Sequence, residues 1–192
     1  MLILASQSPR RRQLMEQIGL SFTVKIADID ETMDPSKPPE AQVAEVSARK
    51  AAAIAETSRP EDVIIAADTI VVVDDTILGK PHSKEDAKAM LNLLSGHSHR
   101  VMTGVTVCRG EESVSHTEIT EIRFRALSDA EIDAYVESGD PMDKAGSYGI
   151  QNAAAIFVSG MHGDYFNVMG LPLCSLTQLL RRFGVEVLGE KG

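Results

Sequence analysis

An aspartate interrupts one of the most apolar stretches of the chain. Asp68 follows the run Val63–Ala67 and, with Thr69 after it, precedes the run Ile70–Val73. An ionised carboxylate near a protein core is costly unless it meets a cation, a metal ion or several hydrogen-bond donors. Asp68 is therefore a candidate metal ligand or general base. Taken alone, an aspartate that accepts backbone N–H groups at a strand bend, helped by Thr69, is an equally good interpretation.

A basic segment occupies a predicted strand-to-helix junction early in the chain. The predicted strand Leu2–Ala5 runs into a helix that Ser8 can cap and whose first turn suits Pro9. Unpaired N–H groups and the positive end of the helix dipole attract anions at such a junction. The short donors and cations available there are Ser6, Ser8, Arg10, Arg11 and Arg12.

The three arginines of this segment cannot all address one phosphate, because neighbouring helical side chains diverge by about 100°. We expect one or two of them to point inward while another stays solvated. A purely structural helix would tend to avoid a basic first turn, which opposes the helix dipole. We therefore favour an anion site over a merely capped helix, although the GxxxxGK[ST] spacing of a Walker loop is absent.

Two lysines are candidates for neutralising phosphate charge. Lys50 lies four residues after Val46 and four before Ile54, on the apolar stripe of a helix predicted over residues 40–57. A lysine that snorkels along the stripe is the slightly favoured interpretation, and a lysine directed into a phosphate site is the alternative. Lys80 precedes Pro81, which restricts its backbone and suits it to present a point charge. An ordinary turn is the plainer interpretation of Lys80.

An acidic segment follows the predicted strand Phe22–Ile26 and contains Asp28, Asp30, Glu31 and Asp34. Carboxylates at a strand end suit Mg²⁺, which prefers oxygen ligands, although a solvated acidic loop is the commoner meaning of such a run. These features together suit phosphoryl or nucleotidyl chemistry on a small, metal-bound polyphosphate. They are the anion site at the start of the first helix, the two lysines, the buried carboxylate and the acidic strand end.

The elements that must position these residues alternate along the chain. Further strands are predicted over residues 62–67 and 70–73, 100–108, 114–125 and 155–159. Helices are predicted to start at Ser83 and Ser128, the latter with Glu131 in a capping box, and to span residues 172–183. This order predicts an α/β fold with a mixed, partly antiparallel twisted sheet flanked by helices, and a cleft at the loop near residue 8. We expect one domain over residues 1–192.

Composition excludes several classes of protein. The 192 residues carry a formal charge of −9, which opposes general binding to nucleic-acid polymers or acidic membranes. Cys108 and Cys174 cannot build a disulfide framework, and the five histidines show no zinc-site spacing. The apolar runs are too short to span a bilayer, and no charged-then-apolar leader precedes the first strand. We therefore expect a reduced, cytoplasmic protein.

Seven short blocks in order along nearly the whole chain resemble those of one family, the Maf proteins, which are nucleoside triphosphate pyrophosphatases. The first block is Ser-Gln-Ser-Pro-Arg-Arg at residues 6–11, and the second is Ala-Asp-Thr-Ile-Val at residues 67–71. The others are residues 78–81, 143–146, 148–151, 163–165 and 168–172. No single block is specific, but their combination is.

The resemblance implies hydrolysis between the α- and β-phosphates of a nucleotide, with Mg²⁺ or Mn²⁺ as cofactor. It implies that Asp68 accepts the proton of the attacking water. Glu31, Lys50 and Lys80 would be the essential partners in metal binding and phosphate neutralisation, and Glu31 and Asp68 would bind the metal. Ser6, Ser8 and Arg11 fall in the substrate-binding block, and Arg10, Thr69 and Gln151 coincide with positions that mark the branch hydrolysing dTTP and UTP. It also suggests a homodimer. A side-chain amide at Gln151 offers a donor and an acceptor to a pyrimidine edge.

One position departs from the family pattern. The family usually has glycine after the glutamine, whereas this chain has Asn152. Glycine can take backbone angles that asparagine only partly allows, so the base pocket is expected to differ slightly. The alternatives to a dTTP/UTP pyrophosphatase are a related enzyme with another nucleotide preference, modified pyrimidines included, and a non-catalytic nucleotide sensor that regulates cell division.

Overall fold

Seven strands form one mixed sheet in the computed structural model, which describes residues 1–188. They are β1 (Leu2–Ala5), β2 (Thr23–Lys25), β3 (Val63–Val73), β4 (Thr76–Leu78), β5 (Ser98–Arg109), β6 (Glu112–Phe124) and β7 (Val158–His162). The strand order is β2-β1-β3-β5-β6-β7, and β4 pairs with β3. β1 is parallel to β2 and β3, while the pairs β3–β4 and β6–β7 are antiparallel. The predicted mixed α/β sheet is confirmed.

Six α-helices and three short 3-10 segments accompany the sheet within residues 1–188. The helices are α1 (Pro9–Gln17), α2 (Pro39–Ala55), α3 (Lys84–Leu94), α4 (Asp129–Glu137), α5 (Tyr165–Met169) and α6 (Leu173–Arg182). The capping box is confirmed, because the Ser128 hydroxyl accepts from the Glu131 N–H and the Glu131 side chain accepts from the Ser128 N–H. None of the helices in the described part of the chain is long and apolar enough to cross a membrane.

The chain divides into two compact units. The first unit contains Met1–Asp68, Thr103–Glu118 and the chain from Gly170 onward, and the second contains Thr69–Met102 and Ile119–Met169. Each has its own buried apolar cluster. Ile3, Ile64 and Ala51 contribute to the cluster of the first unit, and the second is larger and includes several aromatic rings. The single domain over residues 1–192 stays a prediction.

Helix α2 lies directly on β5 in the first unit, and Gly104 makes this approach possible. A Cβ atom at Gly104 would lie 2.6 Å from the carbonyl oxygen of Val43, closer than real Cβ atoms come to backbone. The Ser47 and Thr106 hydroxyls, both buried, pair at 2.7 Å across the same contact. This close packing holds the helix that carries Lys50 in one place.

Four details differ from the sequence-based expectations. The strand predicted over residues 155–159 begins later, because Ala153–Phe157 forms a 3-10 turn and β7 covers Val158–His162. The strand predicted over residues 22–26 is only Thr23–Lys25. Ser8 is the N-cap residue of α1, but its side chain makes no capping hydrogen bond. The two strand segments around Asp68 are one continuous strand, β3, so the strand bend that one of the two interpretations of Asp68 requires is absent.

A buried histidine sits among aromatic rings in the second unit. His99 is 2% exposed, and its ring packs edge-on against Phe124 and Tyr148 at centroid distances of 4.9 and 5.4 Å. Its Nε2 pairs with the Tyr148 hydroxyl at 2.8 Å, and no residue described here hydrogen-bonds Nδ1. Burial lowers the pKa of His99 from about 6.5 to about 4, because the charged ring would lose its hydration.

We expect the free energy of unfolding to fall as the pH drops from about 6.5 to about 4. The unfolded chain protonates His99 below its ordinary pKa of 6.5, whereas the folded chain does so only near pH 4, so acid favours unfolding across this window. By pH 4.5 the loss is about 2–3 kcal/mol. Urea unfolding at pH 7 and pH 4.5 measures it.

Two variants isolate the source of this pH dependence. His99→Gln should lose much less stability between the two pH values than the wild type does. His97→Gln, which changes an exposed histidine two residues away, should behave like the wild type. An equal loss in His99→Gln and the wild type would contradict the assignment to His99.

Candidate functional site

The side chains of Lys50 and Asp68 form a nearly buried ion pair in the first unit. Lys50 Nζ donates to Asp68 Oδ1 at 2.7 Å, and the two side chains are 11% and 13% exposed. Lys50 comes from α2 and Asp68 from β3. The lysine therefore does not snorkel to solvent along the apolar stripe, because a carboxylate inside the molecule meets its charge. The sequence interpretation of Asp68 as a residue that satisfies backbone N–H groups at a strand bend is likewise replaced by this pair.

Glu31 is the third member of this group. Its Oε1 lies 3.0 Å from Lys50 Nζ, so one ammonium holds two carboxylates close together. The side chain of Glu31 is 58% exposed, whereas that of Asp68 is 13% exposed. The group therefore has a dry side at β3 and a side that solvent and ligands can reach. We call Glu31, Lys50 and Asp68 the acid–lysine group.

The start of α1 contributes cations to the same unit. Arg11 Nε donates to the carbonyl oxygen of Gly170 at 2.8 Å, and its Nη1 donates to Ser6 Oγ at 3.2 Å. Ser6 Oγ also accepts from the N–H of Ser8. Arg10 and Arg11 are half-buried and Arg12 is exposed, so the expectation that one or two of the three point inward agrees with the structure.

The acid–lysine group and the arginines influence one another electrostatically. Burial lowers the pKa of the Arg11 guanidinium from its ordinary value, and the negative charge of Asp68 works against that decrease. The positive charge of Arg10 lowers the pKa of Arg11 further, and Glu31 raises it. Two carboxylates, one ammonium and two guanidinium groups thus act on a common region. An anion that entered this region would find excess positive charge and hydrogen-bond donors.

The two carboxylates of the acid–lysine group fit a divalent cation such as Mg²⁺ only if phosphate oxygens and water supply its remaining ligands. Glu31 and Asp68 supply carboxylate oxygens near one point, which are the ligands that Mg²⁺ prefers. Within residues 1–188, no three histidine, cysteine or acidic side chains cluster closely enough to form a complete protein cage for a metal. Mg²⁺ usually takes one or two carboxylates and completes its shell with phosphate oxygens and water. The two carboxylates fit that use.

The other acids of the predicted segment serve the loop itself. Asp30 Oδ1 accepts from the N–H and the hydroxyl of Thr32, and Asp34 Oδ1 accepts from the N–H and the hydroxyl of Ser36. These contacts lower the pKa of both aspartates, with the side-chain hydroxyl as the largest cause. Since β2 ends at Lys25, Glu31 lies on an irregular loop and not at a strand end as predicted.

Lys80, Thr69 and Gln151 belong to the second unit. Lys80 and Gln151 have exposed side chains, and Thr69 is half-buried. Lys80 follows the antiparallel pair β3–β4, two residues after β4 ends at Leu78. This unit also has an open cavity of about 660 Å³ whose lining includes Asp140, Lys144 and Asn152, the residue that follows Gln151 in the sequence.

Asn152 takes no backbone conformation that requires glycine. Its φ of −102° and ψ of −155° are extended values open to any residue, so the backbone of this chain does not need the freedom of glycine here. Its amide Nδ2 donates to Asp140 Oδ1 at 2.6 Å, and Tyr135 donates its hydroxyl to the other oxygen at 2.6 Å. Burial works to raise the pKa of Asp140, but hydrogen bonds from Tyr135, Asn152 and Lys144 hold it below its ordinary value.

Sequence reasoning missed one residue beside this group, Arg49. Its guanidinium donates to the carbonyl oxygens of Asp30 and Thr32, on either side of Glu31. Main-chain partners carry no residue-type pattern, so no sequence signal could have found this contact.

A pair of carboxylates bridged by a lysine, with arginines at a helix start, is typical of sites that handle metal-bound phosphates. A family model described as Maf-like protein matches residues 1–183. The chain belongs to the Maf family.

Two relatives that match almost the whole chain are named dTTP/UTP pyrophosphatase. The chain is 46% identical over 186 residues to the dTTP/UTP pyrophosphatase of Symbiobacterium thermophilum, covering 97% of this chain and 95% of that protein. It is 47% identical over 192 residues to the dTTP/UTP pyrophosphatase of Moorella thermoacetica, covering 98% of each. A solved HAM1 protein from Coxiella burnetii shares 14% identity and a TM-score of 0.50 over 94% of this chain and 98% of that one, which supports the fold alone.

We expect Lys50 and Asp68 to be energetically coupled. In a double-mutant cycle of Lys50→Met and Asp68→Asn, the first change leaves the Asp68 carboxylate without its ammonium and the second leaves Lys50 with Glu31 alone, while the double change removes both charges of the pair. The expected coupling free energy is about 2 kcal/mol, below the value for fully buried pairs because both side chains keep some contact with solvent. Urea unfolding of the four proteins gives this quantity.

A second cycle on an exposed pair is the control. Lys37 and Glu45 form an ion pair with side chains 42% and 47% exposed, so Lys37→Met and Glu45→Gln should couple by less than about 1 kcal/mol. Additive effects at Lys50 and Asp68, no larger than those of the exposed pair, would contradict the buried ion pair as a stabilising contact.

Proposed function

We propose that this protein hydrolyses dTTP and UTP to the nucleoside monophosphate and pyrophosphate. The relatives described above support the substrates, since they carry that name at 46% and 47% identity. The observation that carries the proposal is the position of Lys50 Nζ between the carboxylates of Glu31 and Asp68. Cleavage of a phosphoric anhydride needs a proton acceptor for water and positive charge for the phosphates, and this group offers both.

Asp68 is the proton acceptor in the proposed reaction. A water oxygen attacks the α-phosphorus, the bond from that phosphorus to the oxygen that bridges to the β-phosphate breaks, and pyrophosphate leaves with the bridging oxygen. The proton of the water passes to the carboxylate of Asp68 and then to solvent. Lys50 orients that carboxylate through its bond to Oδ1, so the other oxygen can face the water.

The phosphates of the substrate meet cations and donors from the start of α1. Arg10 and Arg11 neutralise negative charge, and Ser6 and Ser8 offer hydroxyl groups beside the first turn of the helix. Arg11 is held by Gly170 and Ser6 before any ligand binds, so little side-chain entropy is lost on binding. Lys80, an exposed point charge, adds a further cation in this proposal.

Glu31 and Asp68 are the residues that would hold Mg²⁺ or Mn²⁺. When bound, the cation neutralises phosphate charge and polarises the phosphoryl oxygens. The exposed side of the acid–lysine group, formed by Glu31, is the side from which a metal-bound nucleotide would reach the group.

Base preference rests on Gln151, Arg10 and Thr69 in this proposal. The exposed amide of Gln151 can donate to and accept from a pyrimidine edge. We include modified pyrimidine nucleotides among the candidate substrates, and the role would be to remove them from the nucleotide pool.

We place the activity in the cytoplasm, because Cys108 and Cys174 are free thiols, as expected in a reducing compartment. We also propose that the protein is a homodimer, as the family resemblance suggests.

A substrate panel tests this function. Purified protein is assayed with the common ribo- and deoxyribonucleoside triphosphates and with modified pyrimidine triphosphates, in Mg²⁺, in Mn²⁺ and in EDTA. We expect dTTP and UTP to be cleaved fastest, with monophosphate and pyrophosphate as products and no turnover in EDTA. Absence of pyrophosphate from every substrate would overturn the proposal, and tight binding without product would support the non-catalytic sensor instead.

The variant Asp68→Asn tests the proton acceptor within the same assay. It preserves size and removes the base, so kcat should fall by at least about 100-fold while nucleotide binding by calorimetry persists. Asp75→Asn, at an exposed turn residue of the same hairpin, is the matched control and should keep wild-type turnover. Unchanged turnover in Asp68→Asn would remove Asp68 from the mechanism.

A further inference from the structure

The loop that carries Glu31 has no regular secondary structure to hold it. Residues 26–38 lie between β2 and α2 outside any helix or strand, and the Glu31 side chain is 58% exposed. Such a loop would ordinarily sample many conformations, and its carboxylate would be in place only part of the time. The contact from Lys50 reaches the end of the side chain and does not fix the backbone.

Arg49 fixes the backbone on both sides of Glu31. Its Nη1 donates to the carbonyl oxygen of Asp30 at 2.5 Å, and its Nη2 donates to the carbonyl oxygen of Thr32 at 2.7 Å. The planar guanidinium presents its N–H groups in a fixed fork, so the two carbonyl groups are constrained together. Asp30 closes the same segment by accepting from the N–H and the hydroxyl of Thr32.

Arg49 and Lys50 therefore act on the loop as neighbours in α2. The first holds the main chain around Glu31, and the second holds the Glu31 carboxylate. Helix α2 is itself held tightly against β5 at Gly104. The position of Glu31 is thus tied to the sheet through one helix.

We propose that Arg49 is a positioning residue that orders the 30–32 segment so that Glu31 is in place before a metal-bound nucleotide arrives. The inference rests on the proposed function, because Glu31 is there a metal-binding residue. Without Arg49, the loop must be ordered when the ligand binds, and that cost weakens metal binding rather than the chemical step. Arg49 itself contacts neither metal nor substrate.

Metal binding is the primary measurement. Arg49→Met removes both donors and retains an unbranched stem that suits a helix, while Arg49→Lys restores one charged donor. In the presence of a non-hydrolysable α,β-methylene analogue of dTTP, the dissociation constant for Mn²⁺, measured by electron paramagnetic resonance, should rise about tenfold in Arg49→Met and less in Arg49→Lys. Arg182→Met, at an exposed arginine of α6, is the matched control and should leave it unchanged.

A combination with Glu31→Gln separates positioning from a general loss of stability. If Arg49 acts through Glu31, the change Arg49→Met should weaken Mn²⁺ binding little further once Glu31→Gln is present. Amide hydrogen exchange over residues 28–33 should accelerate in Arg49→Met, and the metal concentration for half-maximal turnover should rise while kcat at saturating metal stays close to wild type.

Two outcomes would overturn the inference. One is an unchanged Mn²⁺ affinity in Arg49→Met, and the other is the same loss of affinity whether or not Glu31 is present. Failure of the proposed function gives a different result, in which the wild-type protein releases no pyrophosphate from any nucleotide in the substrate panel. In that case the exchange and Mn²⁺ measurements still decide whether Arg49 orders the loop.

Discussion

Two charges that leave water must meet each other, and here the pair is Lys50 and Asp68. Asp68 lies in the middle of an eleven-residue strand whose other side chains are almost all buried, and Lys50 is on the inner face of α2. Each charge alone would destabilise the fold, because a buried charge without a partner costs several kcal/mol. The pair is kept at a position where a purely apolar contact would serve stability equally well. This is the physical reason for connecting it with chemistry.

The rest of the first unit serves to keep that pair in one geometry. The absence of a Cβ atom at Gly104 lets α2 approach β5 closely. The hydrogen bond between the Ser47 and Thr106 hydroxyls opposes movement of the helix along the strand. Parallel pairing places Leu4 of β1 opposite Ile65 of β3, so β1 ends and the chain turns into α1 close to the level of Asp68 along β3. In open α/β sheets, ligand sites form beyond the carboxyl ends of parallel strands. The charged side chains of this unit therefore gather where the topology leaves room for an anion.

The sequence carried much of this information, but unevenly. An aspartate between apolar runs pointed to Asp68, because burial of a charge leaves a visible break in the pattern. Periodicity placed Lys50 on the inner face of α2 but could not say what it would meet, since its partner is 18 residues away and on another element. The pattern alone therefore slightly favours snorkelling, which the contact with Asp68 shows to be wrong. The residue pattern itself pointed to Arg10 and Lys80 as phosphate-binding cations. The family resemblance adds the substrate-preference roles of Arg10, Thr69 and Gln151, and all of these roles stay predictions.

Two features lay outside what sequence patterns can show. The shift of β7 from residues 155–159 to Val158–His162 arises because an alanine-rich run suits a 3-10 turn as well as a strand. The hold of Arg49 on the loop depends on two main-chain carbonyl groups, which look the same for every residue type.

A crystal structure with Mn²⁺ and the α,β-methylene analogue of dTTP tests the central claim most directly. The anomalous signal locates the metal, and the electron density locates the phosphates. We predict Mn²⁺ bound to the carboxylates of Glu31 and Asp68, with the ammonium of Lys50 still bonded to Asp68 Oδ1 and the guanidinium of Arg11 facing phosphate oxygens. A metal and a triphosphate bound away from Glu31, Lys50 and Asp68 would contradict the account.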